Sequence, residues 1–493
     1  MKNQSLLFSA LAILVCLEMG CDSSHNNDTI SQASGVSRPD QATSQTSDPL
    51  INYDPSIIPT SYEPKSCSLP DMQRFVHRVM SDSYLWYDAV PKSEDMRFED
   101  FESLEQLLKF LREKEKDRFS LMVDESLYRM AISGGQLGLG LSVQFDAAGA
   151  LRVRYVDAGS PAAAVDIGRG DTLLEINGKT VEELNASQLW DTILGQDKKG
   201  VKVDLTIQKH IVATEPASEE PTETAAENSL AEEPVSITLT KAAYNAPAIP
   251  ISNVVEVGEQ KVGYLLMNNL MPTSEAELRT VFARYKDEGV SELILDLRYN
   301  PGGSALVASQ LAGYLWGYGR IESSDFLHGL HNDKYAALNW VLPFAQPENR
   351  LYLTRVFILT GPDSCSASEA VINSLKPHLE VIQMGGVTCG KPYGMYGRVF
   401  CDKVLLPLEF EIKNAQGEGE YTGGLTPNCP MADDLEHNLG DTQETLLDGA
   451  LHYIANGQCG NNSEKSAPLI SASQPSSESV DLYHGVHQLF RSF

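Results

Sequence analysis

The chain has 493 residues, with 38 Lys and Arg against 67 Asp and Glu and a formal net charge of −29. That length leaves room for two or three domains with cores of their own. So acidic a surface argues against nucleic acid and anionic lipid as partners, and favours basic or neutral ones.

Lys2 followed by an apolar run over residues 6–17 has the layout of an export signal, too short to span a bilayer permanently. Gly20-Cys21 is similar to a bacterial lipoprotein cleavage site. The similarity implies loss of residues 1–20, lipidation of Cys21 and attachment to a membrane of the cell envelope. Glu18 stands where such sites carry a leucine-like residue, so plain secretion is the alternative. Residues 21–66 are rich in Ser, Asp, Asn, Gln and Thr, which cannot bury a core. As a flexible coil such a tether of about 40 residues reaches about 35 Å.

Folded structure is expected from Cys67. Phe75, Val76, Val79, Met80, Tyr84, Leu85, Trp86 and Tyr87 predict a buried helix over 72–89, and a second helix is expected over 103–114. Asp117-Arg118-Phe119-Ser120 follows, and all of 67–130 reads as packing.

Three motifs come next in order: Leu137-Gly138-Leu139-Gly140-Leu141, Gly159-Ser160-Pro161-Ala162, and Gly168-Arg169-Gly170-Asp171 running on to Asn177-Gly178. Together they resemble a PDZ domain over 134–245. In such a module the amides of 137–141 hold a peptide's terminal carboxylate. The resemblance implies protein or peptide partners caught by apolar C-terminal tails, and a module that only braces its neighbour is the alternative. Residues 213–234 carry seven glutamates and no basic residue, between strand-like 201–207 and 235–240. This reads as a solvated hairpin loop, tolerable because loop entropy grows slowly with length.

From 249 to 458 strands alternate with helices, an α/β pattern with crossovers: strand 262–267, helix 274–285, strand 293–297. The turn Asn300-Pro301-Gly302-Gly303 opens a helix over 305–311, and the apolar strand 356–359 leads to Ser366-Ala367-Ser368-Glu369. Lys391 ends Cys389-Gly390-Lys391. A serine hydroxyl becomes a nucleophile when a base takes its proton, and a neutral lysine amine can be that base. Lys391 must then fall from a pKa of ~10.4 to about 7–8, at about 3–5 kcal/mol, which calls for burial. Ser-x-x-Glu is also a capping box, and the two readings are compatible.

Ser366, Lys391 and the Pro-Gly-Gly turn, in this order, resemble the C-terminal-processing (tail-specific) serine proteases, over roughly residues 68–458. The resemblance implies an α/β (α+β multidomain) fold class: a small N-terminal helical domain, a β-rich PDZ domain and a crotonase-like α/β protease core. It also implies a Ser366/Lys391 dyad with no cofactor or metal, and an oxyanion hole built from the amides of Gly302 or Gly303 and of Ala367. The chain departs from its relatives at two positions. Met395 stands where many carry a glutamine four residues after the lysine, and Pro377 where others carry an aspartate eleven after the serine. Tyr393, Tyr396 and Ser368 are the candidate replacements. A catalytically weak or inactive binding protein is the alternative reading.

With Cys16 lost in the signal and Cys21 lipidated, Cys67, Cys365, Cys389, Cys401, Cys429 and Cys459 remain. An even number in an exported protein points to disulfides, with fifteen complete pairings open. One hypothesis is that a bridge involving Cys365 or Cys389 stiffens the site in place of the missing orienting residue; bridges that are ordinary fold staples are the alternative. His328/His331 and His484/His487 lack the acidic pattern of zinc proteases and are expected in loop or tail sequence. The Ser-rich tail 460–493 ends on Phe493, and binding of this tail in the chain's own PDZ groove is one hypothesis for it.

Overall fold

Ser68 and a proline in the first turn start the first helix, α1 (Leu69–Met80). It belongs to a computed structural model that describes residues 63–187, 189–210, 233–316 and 323–460. The signal, Cys21, almost all of the tether, the bulk of the acidic insert, His484, His487 and the C-terminal tail lie outside those residues.

The expected helix over 72–89 ends earlier, at Met80. Ser81-Asp82-Ser83 favour turns over helix interiors, and Tyr84, Leu85 and Trp86 pack from irregular chain instead. Leu85 donates its amide to Leu408 O at 2.9 Å. The helix expected over 103–114 runs as α2 (Leu104–Leu111), capped by Ser103 Oγ accepting from the Gln106 amide. β1 (Leu121–Asp124) and α3 (Glu125–Ile132) complete the N-terminal segment.

A two-stranded ribbon, β2 (Gly135–Gly138) with a later partner, leads into a sheet. Its strands are β3 (Leu141–Phe145), β4 (Leu151–Val156), β5 (Thr172–Ile176), β6 (Lys179–Thr180), β7 (Lys202–Gln208) and β8 (Val235–Thr240). The order is β3-β4-β5-β7-β8, so β3 is an edge strand. α4 (Val181–Ser187) and α5 (Trp190–Ile193) lie between β6 and β7, and β9 (Ala242–Asn245) pairs with β2. β7 and β8 pair antiparallel from Lys202↔Thr240 to Ile207↔Val235, so the acidic insert joins two partner strands as expected. Leu139, Leu141, Val143, Leu173, Leu205 and their neighbours form a core belonging to this module alone.

The third region opens with β10 (Ile251–Val257), β11 (Gln260–Leu266), α6 (Ser274–Glu288), β12 (Glu292–Asp296) and α7 (Ala305–Leu315). β13 (Asp325–His331), β14 (Trp340–Pro343), β15 (Arg355–Thr360), α8 (Ala367–Leu375) and β16 (Glu380–Gly385) follow. β17 (Tyr393–Met395), β18 (Arg398–Phe400), β19 (Lys403–Leu406), β20 (Leu408–Lys413), β21 (Cys429–Pro430) and α9 (Thr445–Asn456) close it. The main sheet runs β10-β11-β12-β15-β16-β21, parallel from β11 onward with β10 antiparallel at the edge. Every residue of β12 is buried, as a parallel strand covered on both faces requires. α6, α7 and α8 pack against one face and α9 against the other.

Two features differ from the sequence expectation. The N-terminal segment shares one core with the third region: Phe75, Val79, Leu107 and Tyr128 cluster with Met395, Phe400, Val404 and Leu408. β1 pairs with β19, and Cys67 is bridged to Cys401. His328 and His331, expected in a loop, lie on β13. His328 faces Asp325 at 3.1 Å, and His331 Nε2 meets the Tyr396 hydroxyl at 3.1 Å.

Candidate active site

The turn after β15 brings Ser366 to the head of α8, with φ at 52°, the left-handed region that a non-glycine residue rarely enters. Such strain persists only where surrounding contacts enforce it, and here they are dense. Gly361 N–H donates to Ser364 Oγ, Ser364 Oγ donates to Leu297 O, and Cys365 N–H donates to Asn300 O. The Asn300-Pro301-Gly302-Gly303 turn presses against this one. A Cβ on Gly302 would lie 2.8 Å from Cys365 O and 2.9 Å from Ala367 N, so only glycine fits.

Glu369 ties the two halves of the site together. It is fully buried, and its Oε2 accepts the Ser366 amide at 3.0 Å and the Lys391 amide at 2.8 Å. Oε1 accepts the Gly390 amide at 2.7 Å and the Thr388 hydroxyl. The capping residue expected from Ser-x-x-Glu is therefore also the anchor of the Lys391 loop. One carboxylate oxygen shared by two amides places the backbones of Ser366 and Lys391 side by side. Burial pushes the Glu369 carboxyl above its ordinary range, against the pull of these donors. The Cys365–Cys389 disulfide joins the same two loops, so the bridge involving one of these cysteines in fact joins both. Cys429–Cys459 is the third bridge.

Lys391 is completely buried, and burial brings its pKa down from 10.5 to about 7. The negative charges of Asp117 and Glu369 hold it from falling further. Its ammonium nitrogen lies 5.4 Å from the Phe119 ring centroid. Asp117 is fixed by the Tyr84 hydroxyl at 2.7 Å and by the amides of Phe119 and Ser120, and Arg118 reaches over to Cys389 O. Read from sequence as packing alone, Asp117-Arg118-Phe119-Ser120 forms a wall of the lysine's pocket.

The three candidate replacements for an orienting residue go elsewhere in part. Ser368 Oγ donates to Asn300 O at 3.0 Å, Tyr396 accepts from Trp340 Nε1 at 3.0 Å, and Tyr393 packs edge-on against Trp86. Met395 lines an apolar cavity of about 60 Å³ beside Ser366, with Leu327, Trp340, Ala370, Phe410 and Ile412.

Of the glycine amides named as oxyanion donors, Gly302 N–H donates to Asn300 Oδ1 at 2.9 Å and is already committed. No acceptor meets the Gly303 or Ala367 amide among the described residues, and both residues line the cavity at Ser366. Among the described residues, the group with metal-ligand spacing is Cys365, Glu369 and Cys389. With both sulfurs in a disulfide and the carboxylate spent on four donors, it offers no ligand set.

The residues proposed for a peptide's carboxylate sit apart, in the second module. Leu139 and Leu141 are buried in its core, Gly138 ends β2, and Leu137 packs toward the N-terminal cluster. Gly140 has φ at 79°, with Ser160 where its Cβ would be. The side chains of this loop are therefore packing, and its backbone is partly committed: Leu137 and Gly138 pair with Ala243 and Ala242, and Leu139 O and Gly140 O accept the Ala162 and Asp157 amides.

Three family models match the chain in succession: the peptidase S41 N-terminal domain over 71–121, a PDZ domain over 128–208 and peptidase family S41 over 261–429. A "Probable CtpA-like serine protease" of Staphylococcus aureus (strain bovine RF122 / ET3-1) is 25% identical over 297 residues, covering 60% of this chain and 52% of that protein. Its namesake in Staphylococcus saprophyticus is 24% identical over 314 residues, covering 62% and 56%. The chain thus spans about half the length of the curated relatives it matches. A Bacteroides fragilis NCTC 9343 crystal structure described as an S41 protease superposes with a TM-score of 0.60 at 24% identity, covering 78% of this chain and 97% of that one. That likeness concerns the fold.

Proposed function

We propose that the chain is a member of peptidase family S41, an exported serine endopeptidase working through a Ser366/Lys391 dyad. The observation that carries this reading is the pairing, through Glu369, of a strained serine turn with a buried lysine whose pKa is about 7. Neutral Lys391 takes the Ser366 Oγ proton as the oxygen attacks the scissile carbonyl. The amides of Gly303 and Ala367 receive the developing oxyanion, where a single such donor is worth about 10²–10³ in rate. The lysine's proton then passes to the leaving amine, and water repeats the cycle on the acyl-enzyme.

The cavity beside Ser366 is lined by Leu327, Trp340, Met395, Phe410 and Ile412, which suits an apolar side chain at the cleaved bond. Apolar C-terminal tails bind the PDZ domain along edge strand β3, their carboxylates on the backbone of 137–141. Three disulfides among the described residues support an oxidising compartment. Lipidation of Cys21 then anchors the enzyme to a membrane of the cell envelope.

Met395 favours a second reading, a weak or inactive PDZ-bearing binding protein, because it offers Lys391 no hydrogen bond. Cleavage of an unstructured protein with an apolar C terminus separates the two. The mature chain cuts it, while Ser366→Ala and Lys391→Ala fall at least about 10³-fold. Tail binding by all three with cleavage by none establishes the second reading.

A further inference from the structure

Arg154, on β4 of the PDZ domain, is nearly fully buried, yet its partners lie on three different elements. Its Nε donates to Ser142 Oγ at 2.8 Å, on edge strand β3. Its Nη1 is paired with Asp363, three residues before Ser366 in the nucleophile turn. Its guanidinium lies 4.9 Å from the ring centroid of Tyr299, the residue before Asn300 of the glycine turn. One side chain therefore touches the strand that a bound tail extends, the turn that carries the nucleophile and the root of the turn that carries the Gly303 amide.

Neighbouring contacts brace the same junction. Arg169 donates to Arg154 O at 2.6 Å and to the Tyr299 hydroxyl at 2.8 Å, and is paired with Asp433 at 3.0 Å. Gln144, two residues along β3 from Ser142, reaches Asp433 at 3.3 Å. Leu141 and Val143 point into the PDZ core, which leaves Ser142 and Gln144 as the side chains of β3 that face the protease region. A peptide adding to the free edge of β3 fixes the strand whose side chains hold Arg154 and Asp433.

We propose that Arg154 is a positioning residue that couples tail binding at β3 to the placement of Ser366, by way of Asp363. The proposal rests on the reading of Ser366 as nucleophile and of the PDZ domain as tail receptor. The Ser364 hydroxyl and the Cys365 amide donate to Leu297 O and Asn300 O, so the turn is anchored on its Ser366 side within the protease region itself. On its Asp363 side, it is anchored by a residue of the PDZ domain.

The test uses the mature chain, a fluorogenic peptide too short to reach the PDZ domain, and a separate tail peptide with an apolar terminal carboxylate. In the wild type, the tail peptide raises kcat on the short substrate at least about fivefold. Arg154→Gln and Asp363→Asn lose that stimulation and lower kcat with KM unchanged, while binding the tail peptide with wild-type affinity. Arg154→Lys, which keeps the charge, recovers part of the response. Labelling of Ser366 by a fluorophosphonate follows the same order. Asp363→Asn is nearly isosteric and keeps the test open if Arg154→Gln fails to fold. Stimulation equal to wild type in Asp363→Asn overturns the role of Arg154 and leaves the protease reading intact. A wild type that neither cuts the peptide nor reacts with the probe overturns the protease reading, and this proposal with it.

Discussion

Around Ser366 and Lys391 the fixing contacts are backbone amides on one buried carboxylate, together with a disulfide. Where the PDZ domain meets the protease region they are arginine ion pairs: Arg154 with Asp363, and Arg169 with Asp433. Arg298 extends that second set within the protease region, to Asp296, Glu444 and Asp433. The first set leaves no freedom, because each donor is part of the chain and cannot swing away. The second set consists of long side chains whose rearrangement costs rotamers rather than backbone. A catalytic centre needs the first kind of contact, and a junction that answers to a ligand needs the second. Tyr299 links the second set to the nucleophile turn, since it accepts from Arg169 and precedes Asn300, whose carbonyl accepts the Cys365 amide.

The largest effect expected within this contrast comes from Glu369→Gln. The substitution turns an acceptor of four donors into a group that presents its own N–H₂ to some of them. A buried donor left unmatched costs about 1–3 kcal/mol. Stability therefore drops in denaturant unfolding, and kcat falls about 100-fold, a ~3 kcal/mol loss of transition-state positioning. Wild-type kcat in this variant would show that the carboxylate does not set the Ser366–Lys391 geometry.

A smaller effect is expected from removing the disulfide that joins the Ser366 and Lys391 loops. The bridge closes a separation of 24 residues, which corresponds to about 3 kcal/mol in the chain-entropy account. Cys365→Ala with Cys389→Ala should lower the Tm and cut kcat by roughly tenfold, because Glu369 still holds both loops. Unchanged kcat, in this variant or after mild reduction, would mean that the bridge is a fold staple only.

The smallest effect concerns Asp117, and it has a definite sign. With Lys391 as the proposed base, its neutral form is the active one, so kcat/KM should rise with pH through about 7 and level off above it. Asp117 raises the lysine's pKa, so Asp117→Asn lets it fall, and the acid limb moves to lower pH. A limb that stays in place would show that the charge of Asp117 does not reach Lys391.

The features legible from sequence lie in contiguous runs. The strand into the Asn300–Gly303 turn, the strand into Ser366, the glycine pattern of the PDZ domain and the burial of Lys391 all have local signatures, because periodicity and turn chemistry act between near neighbours. The helix over 72–89 was overextended for the same reason. Apolar spacing continued past Ser81-Asp82-Ser83, while the packing of Tyr84 depended on Asp117, 33 residues away.

Tertiary structure alone decided the rest. Glu369 reads as a helix cap in sequence, and its second task depends on Gly390 and Lys391, 21 and 22 residues later. Arg118 meets Cys389 across a separation of 271 residues, and Arg154 meets Asp363 across 209. Gly302 and Gly303 are equivalent in sequence until the side chain of Asn300 occupies one amide. Six cysteines become three bridges only once loop closure has chosen among their pairings. Such contacts are set by the global packing of sheets and helices, and no local pattern records them.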